Sequence, residues 1–335
     1  MLDLENREVL IQYLLEKGVI HSDIPYEVNY CRGGVSCIAA LIETEGKTML
    51  VKQGRAKLAV KEDWHADPAR MKIEAIANDF YNKCIPQSAP AVLFYDEENC
   101  IMVRDAAPAS CRMWKEDLLS GVFDFEVAQK TMEALAIVHN KSANSPEAAA
   151  AFANQDIFYQ LRISPYFEFL AGKHPEYKAE IEAMIPKIRD DRRVIVHSDY
   201  SPKNILVNAD RSICILDYEI AHYGNPAFDV AFFTNHIVLK SAHMRQYSAA
   251  ILNMLTCMTD TYFGMIDFTE GTGSRVHPAA GHPYAGPHRW QIPRGVHHLR
   301  KDPPAGAGYG RRAHPRQADH LPRGRRAALS YGAGI

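Results

Sequence analysis

Apolar side chains at Val9, Leu10, Tyr13, Leu14 and Leu15 recur at helical spacing over residues 4–17, and Gly18 ends the run. The period then shortens to that of strands over residues 26–31, 37–43 and 48–53. Two turns separate them, Arg32-Gly-Gly-Val-Ser36 and Thr44-Glu-Gly-Lys47. Helical spacing returns over 70–84, and two more strands follow at 91–95 and 100–104, joined by Asp96-Glu-Glu-Asn99. From Glu126 onward the pattern is mostly helical: about 126–141, 155–172, 175–189, 227–240 and 243–263. Two short strands interrupt it, 205–208 and 212–216, across the turn Asn208-Ala-Asp-Arg211. This order predicts an α+β fold of two lobes. The N-lobe, residues 1–105, would hold an antiparallel sheet plus a helix, and the C-lobe, 106–269, would be mostly helical.

The strand pair at 205–216 carries the candidate chemistry. His197-Ser-Asp199-Tyr-Ser-Pro-Lys-Asn204 precedes it and Ile215-Leu-Asp217-Tyr-Glu219 closes it. The first segment matches H-x-D-x-x-x-x-N, the kinase catalytic loop. Phosphoryl transfer needs a carboxylate beside the attacking hydroxyl and oxygen ligands for Mg²⁺ on the nucleotide phosphates. Asp199 would align the acceptor and take its proton, while Asn204 and Asp217 would hold the metal. A tight hairpin would return Asp217 to the neighbourhood of Asn204. Asp217 ends an apolar strand, where a carboxylate is costly unless it binds something.

A protein-kinase-like fold requires further parts upstream of this loop. Lys52 ends the third strand, where kinases keep the lysine that contacts the α- and β-phosphates. Glu74, on the following helix, is its expected partner, with Glu62 competing. Gly33 and Gly34, with Ser36, form a strand–turn–strand able to approach phosphate closely; alone the glycines read first as a plain β-turn, and their place before a Val-Lys strand favours the phosphate role. Val103 and Asp105 bound a hinge, 103–106, whose backbone would meet adenine. His197 is expected to pack beneath the metal-binding segment, and His139 to close its helix.

Composition narrows the class. The chain has 335 residues, 47% hydrophobic, with a formal charge of −2 and no apolar run long enough to span a bilayer. An acidic, amphipathic start is unlike a signal peptide, and seven irregularly spaced Cys without a CxxC pair read as reduced thiols. A cytoplasmic enzyme acting on a small molecule, without nucleic-acid or membrane partners, is the expectation; oligomeric state is not legible. A protein kinase is disfavoured by the lack of G-x-G-x-x-G and A-P-E segments.

With these motifs in place the chain resembles the aminoglycoside phosphotransferase and choline kinase superfamily. Asn225-Pro-Ala-Phe-Asp229-Val-Ala is similar to the D-P-x-x-D-x-A segment that follows the metal Asp there, with Asn225 in place of the first Asp. By the resemblance Asp229 braces the catalytic loop. Within the superfamily the methylthioribose kinase branch looks nearest, through Val51-Lys-Gln53, the loop around Trp64, Ile73-Glu74-Ala-Ile76 and Asp217-Tyr-Glu219. That resemblance makes Glu219 an auxiliary metal ligand. It departs at Asn204, where that branch tends to have Ser, and its late arginine pair has no match here. The implied activity is transfer of the γ-phosphate of ATP, with Mg²⁺, to a small-molecule hydroxyl. A methylthioribose-like sugar, an aminoglycoside or a choline-type acceptor remain open, as does an ATP-binding protein impaired by its C-terminus.

Residues 271–335 differ from the remainder. They hold ten Arg and one Lys against two acids, with 11 of the 20 Gly, 8 of the 19 Pro and 7 of the 15 His. His277, His282 and His288 could be read as metal ligands and Arg323-Gly-Arg-Arg326 as a nucleic-acid patch, but neither spacing is diagnostic. Such a mixture is what G/C-rich codons yield out of frame, so a frame shift near codon 270 and a disordered tail over 270–335 are expected. Sequencing the gene should reveal one inserted or deleted base there. An uninterrupted frame shared by related genes would refute the shift.

Overall fold

The computed structural model describes residues 2–31 and 33–268. The readings of the tail, including His277, His282, His288 and the arginines from Arg323 to Arg326, lie outside the described residues.

Helix α1 (Arg7–Glu16) starts where the Asn6 side chain accepts from the N–H groups of Glu8 and Val9, an N-cap that satisfies two orphan donors. Strands β1 (Tyr26–Tyr30), β2 (Cys37–Thr44) and β3 (Lys47–Gly54) precede helix α2 (Arg70–Cys84). Strands β4 (Val92–Asp96) and β5 (Ile101–Asp105) complete a five-stranded antiparallel sheet in the order β1-β2-β3-β5-β4. Alternation along the strands divides its two faces. Met49, Val51, Ile101 and Val103 join Leu10 and Leu14 of α1 in one core. Leu50, Lys52 and Arg104 lie on the opposite face and line a cleft.

That alternation corrects the hinge reading. Val103 pairs with Val51 inside the sheet and is fully buried on the α1 side, so it does not reach the cleft. Asp105 shares its parity, and its carboxylate lies 3.4 Å from the Lys47 ammonium at the sheet's end. The N–H groups of Asp105 and Ala106 are committed to the carbonyls of Ala91 and Thr48. Arg104 is the residue of this strand that faces the cleft.

The remaining chain is built on helices. After β6 (Arg112–Met113) come α3 (Trp114–Leu119), α4 (Phe125–Ser142) and α5 (Pro146–Ala151). Helix α6 (Asp156–Phe158) runs through a π-helical stretch, Tyr159–Glu168, into α7 (Phe169–Lys173), followed by α8 (Lys178–Arg189). Four short strands follow: β7 (Val194–Val196), β8 (Ile205–Val207), β9 (Ile213–Ile215) and β10 (His222–Gly224). Helices α9 (Ala227–His243) and α10 (Ser248–Met265) end the described chain. The buried faces of α4, α9 and α10 meet around Trp114, Leu135, Phe233 and Met258, with Ile195, Ile205 and Ile215 of the strands in the same core. An antiparallel sheet with a helix, followed by a mostly helical lobe, is the expected α+β arrangement. Among the described residues no helix is long and apolar enough to cross a membrane.

Candidate active site

Local backbone rules shape the first wall of the cleft. Gly33 has φ of 82°, a left-handed conformation that only glycine adopts freely. Gly34 passes so near Cys37 that an added Cβ would stand 2.8 Å from its carbonyl oxygen. The two glycines are thus needed for different reasons, and with Ser36 they line the cleft.

Strand β3 delivers Lys52 into the same cleft. Its Nζ lies 2.8 and 2.7 Å from the two Glu74 carboxylate oxygens and 2.8 Å from Asp217 Oδ1. Glu74 is wholly buried and Lys52 nearly so, whereas the Asp217 side chain keeps 35% of its surface exposed. Burial works against the charge of Lys52, but the Asp217 and Glu74 carboxylates outweigh it and keep the ammonium protonated. Burial raises the pKa of Glu74 despite Lys52 beside it. For Asp217 burial also pushes upward, yet Lys52 prevails and holds the carboxyl at about 2. Glu62, the competing partner, is not paired with Lys52; the ammonium's ion pairs are to Glu74 and Asp217.

The catalytic-loop sequence lies between β7 and β8. Ile205 pairs with Ile215 in the β8–β9 hairpin, and the Leu216 N–H donates to the Asn204 carbonyl at 2.9 Å. The hairpin therefore brings Asp217 beside Asn204 as its length predicts. Asn204 Nδ2 donates to both Asp199 O and Asp199 Oδ2 at 2.9 Å. His197 Nε2–H donates to Leu216 O at 3.0 Å, and its Nδ1 accepts from the Asp199 N–H at 3.2 Å. These bonds specify a neutral imidazole, consistent with burial depressing its pKa. Asp229 takes the N–H of His197 at 2.7 Å and of Ser198 at 2.8 Å. Both donors sit where the chain turns, since Ser198 has φ of 67°. His139 reaches Asp229 at 3.4 Å and Tyr262 at 2.7 Å, deep in the core and away from the cleft.

Three basic residues escaped the sequence reading. Arg162, on the π-helical stretch, lies 2.8 Å from Asp199 Oδ1, and Lys203 lies 3.1 Å from Oδ2. Burial would raise the Asp199 pKa, but Lys203 and then Arg162 outweigh it and lower it. Arg70 is buried at the start of α2, where its Nε donates to Glu219 at 3.1 Å and its Nη2 to the carbonyls of Ser36 and Arg55. One oxygen of Glu219 is thereby held while the residue still lines the cleft. Lys203 was legible within the motif itself; a buried arginine on a helix carries no such signature. Trp64 packs edge-on against Phe169 at 6.0 Å, joining its loop to α7.

Gly33, Gly34, Ser36, Lys52, Asp199, Asn204, Asp217 and Glu219 thus line one cleft, with Glu74 just behind Lys52. The oxygens of Asn204, Asp217 and Glu219 are hard donors of the kind Mg²⁺ accepts. Among the described residues no cluster of three or more His, Cys, Asp or Glu forms a complete metal cage by itself. Two carboxylates and an amide suit an ion completed by phosphate oxygens and water.

Residues 139–252, which contain the whole catalytic-loop region and Asp229, match the model of the phosphotransferase enzyme family. Methylthioribose kinase of Pectobacterium carotovorum subsp. carotovorum (strain PC1) is 24% identical over 229 residues, 59% of this chain and 55% of that protein. Methylthioribose kinase of Yersinia pseudotuberculosis serotype O:3 (strain YPIII) is 23% identical over 237 residues, 62% of this chain and 57% of that protein. The chain therefore spans little more than half the length of these relatives. Plasmodium vivax ethanolamine kinase superposes with a TM-score of 0.53 at 13% identity, over 78% of this chain and 74% of that one. At that identity the likeness concerns the fold, a two-lobed kinase-like one.

Replacing Asp229 by Ala would leave two buried N–H groups without an acceptor, at about 1–3 kcal/mol each. Urea unfolding of Asp229→Ala should show a loss of about 2–6 kcal/mol. Asp229→Asn, which retains one acceptor oxygen, should lose less. Equal stability of Asp229→Ala and the parent would show that Asp229 does not brace the loop.

Proposed function

We propose that this chain, whose residues 139–252 match the model of the phosphotransferase enzyme family, transfers the γ-phosphate of ATP to a hydroxyl of a small molecule. One observation carries the reading: Lys52 bonds Glu74 and Asp217 in the cleft that also holds Asp199 and Asn204. Lys52 would bind the α- and β-phosphates, with Glu74 fixing its direction and the glycine turn covering the phosphate chain. Asp217 and Asn204 would hold Mg²⁺, with Glu219 as an auxiliary oxygen. Bound Mg²⁺ would neutralise charge on the phosphates. Asp199 would orient the acceptor hydroxyl and receive its proton, at a carboxylate kept ionised by Lys203 and Arg162. Such a reaction asks for positioning and charge neutralisation more than covalent chemistry from the protein.

The acceptor we favour is a neutral, methylthioribose-like sugar. Arg162 and Lys203 both flank Asp199, so the charge beside the acceptor position does not favour a cationic aminoglycoside or choline. An ATP-binding protein without turnover is the second reading, motivated by the composition of residues 271–335.

A kinase assay across methylthioribose, choline, aminoglycosides and simple sugars separates these readings. Transfer to methylthioribose, falling by roughly 10²–10⁴ in Asp199→Ala, is the expected outcome. Transfer undiminished in Asp199→Ala would overturn the assignment. Thermal stabilisation by Mg-ATP without transfer to any acceptor would favour the second reading.

A further inference from the structure

The π-helical stretch is the least ordinary element near the cleft. It buries Leu161, Arg162 and Ile163 in succession, which a straight α-helix facing one neighbour does not do. Wider turns of this kind concentrate at functional sites. Pro165 adds to the irregularity, because it has no N–H to give the Leu161 carbonyl its α-helical bond. Arg162 Nη1 donates to that carbonyl at 2.7 Å.

The other two guanidinium nitrogens are committed as firmly. Nε donates to the Ser198 carbonyl at 2.6 Å, and Nη2 lies 2.8 Å from Asp199 Oδ1. The guanidinium carbon lies 5.2 Å from the Phe232 ring centroid and 5.6 Å from that of Tyr166. Two helical segments thus hold the side chain, and each nitrogen has its own acceptor. An ammonium cannot reproduce this planar three-point geometry.

We propose that Arg162 is a positioning residue for the phosphotransferase reaction: it fixes the left-handed Ser198 turn and the plane of the Asp199 carboxylate together, aiming Asp199 at the acceptor hydroxyl. The inference rests on the kinase reading above. Asn204 and Lys203 hold Oδ2 while Arg162 holds Oδ1, so both ends of the carboxylate are fixed. A carboxylate held at one end alone rotates about its χ angles. A misplacement of about 1 Å in a reacting group costs on the order of 10²-fold in rate. Arg162 bonds Asp199 and is not among the residues lining the cleft, so its effect falls on alignment and not on nucleotide binding.

Arg162→Met and Arg162→Lys in the full chain test this, assayed with Mg-ATP and methylthioribose and with water as control acceptor. Arg162→Met should lower kcat by about 10²-fold and leave the KM for ATP within about twofold. Arg162→Lys should fall nearer to Met than to the parent. Guanidinium ion added to Arg162→Ala should restore part of the lost kcat, and should restore none in Asp199→Ala. A crystal structure of Arg162→Met should show the Asp199 carboxylate rotated about its Oδ2 contacts, with Oδ1 displaced. Parental kcat in Arg162→Met, or an undisturbed Asp199 in that crystal structure, overturns the proposal, as does a loss confined to melting temperature. The crystal structure needs no acceptor. If no acceptor is phosphorylated, the kinase reading falls while the positioning role is still decided.

Discussion

The buried ammonium of Lys52 is the interaction on which the rest of this structure depends. A charge removed from water is costly unless it is paired and hydrogen-bonded, and removing one partner of a buried pair costs about 3–5 kcal/mol. Lys52 finds its partners on two other elements: Glu74 on α2, and Asp217 after the β8–β9 hairpin of the C-lobe. One side chain thereby fixes the sheet, the helix and the end of the hairpin against each other. The chemistry follows from the same fact. Asp217 remains ionised because Lys52 neutralises it, and it stays partly exposed because Lys52 takes only its Oδ1.

Opposite that triad the catalytic-loop segment is held by more contacts than its conformation strictly needs. Ser198 and Asp217 both have positive φ, a state costing about 1–3 kcal/mol for residues with a Cβ. Asp229 satisfies the two N–H groups at the first turn, Arg162 takes its carbonyl, and His222 Nδ1 lies 3.0 Å from the Ser198 hydroxyl. His197 then links the two strained points, since it bonds the Asp199 N–H on one side and the Leu216 carbonyl on the other. A neutral histidine suits this linking role because it donates at one nitrogen and accepts at the other. The strain is local, and its compensation comes from α9, the π-helical stretch and β10 as well as from within the loop.

Much of this was legible in the chain because it is written in short-range spacing. Five residues from Asp199 to Asn204 and thirteen from Asn204 to Asp217 suffice to define a loop and a tight hairpin. Lys52 was read from its place at the end of β3, and the strand period puts it on the face that lines the cleft. The same period applied to β5 separates the side chains of Val103 and Arg104 onto opposite faces, and the one that lines the cleft is Arg104. Arg70 and Arg162 were not legible for a different reason. Their partners are backbone carbonyls and carboxylates between 1 and 149 residues away, and a 3.6-residue period reads such arginines as exposed. The π-helical turns that bring Arg162 inward leave no signature in hydrophobic spacing, and Pro165 within a helical pattern was the only local sign of them.

The two cations around Asp199 bear on what kind of catalyst this carboxylate is. Burial alone would make it a stronger base, as for a carboxyl in an apolar pocket. Lys203 and Arg162 outweigh burial and lower its pKa, which weakens it as a proton acceptor. An enzyme relying on proton abstraction in the transition state would gain from the opposite arrangement, a base tuned toward neutral pH. Phosphoryl transfer through a loose transition state has little need of early deprotonation, because the attacking oxygen bears little bond order until late. What it needs is an acceptor oxygen in line with the leaving phosphate, and a carboxylate that does not rotate and stays ionised until that bond has formed provides the alignment. In the proposed reaction the low basicity of Asp199 is therefore consistent with its rigid support: the residue is built to direct a hydroxyl, and the proton follows after the phosphorus–oxygen bond has formed.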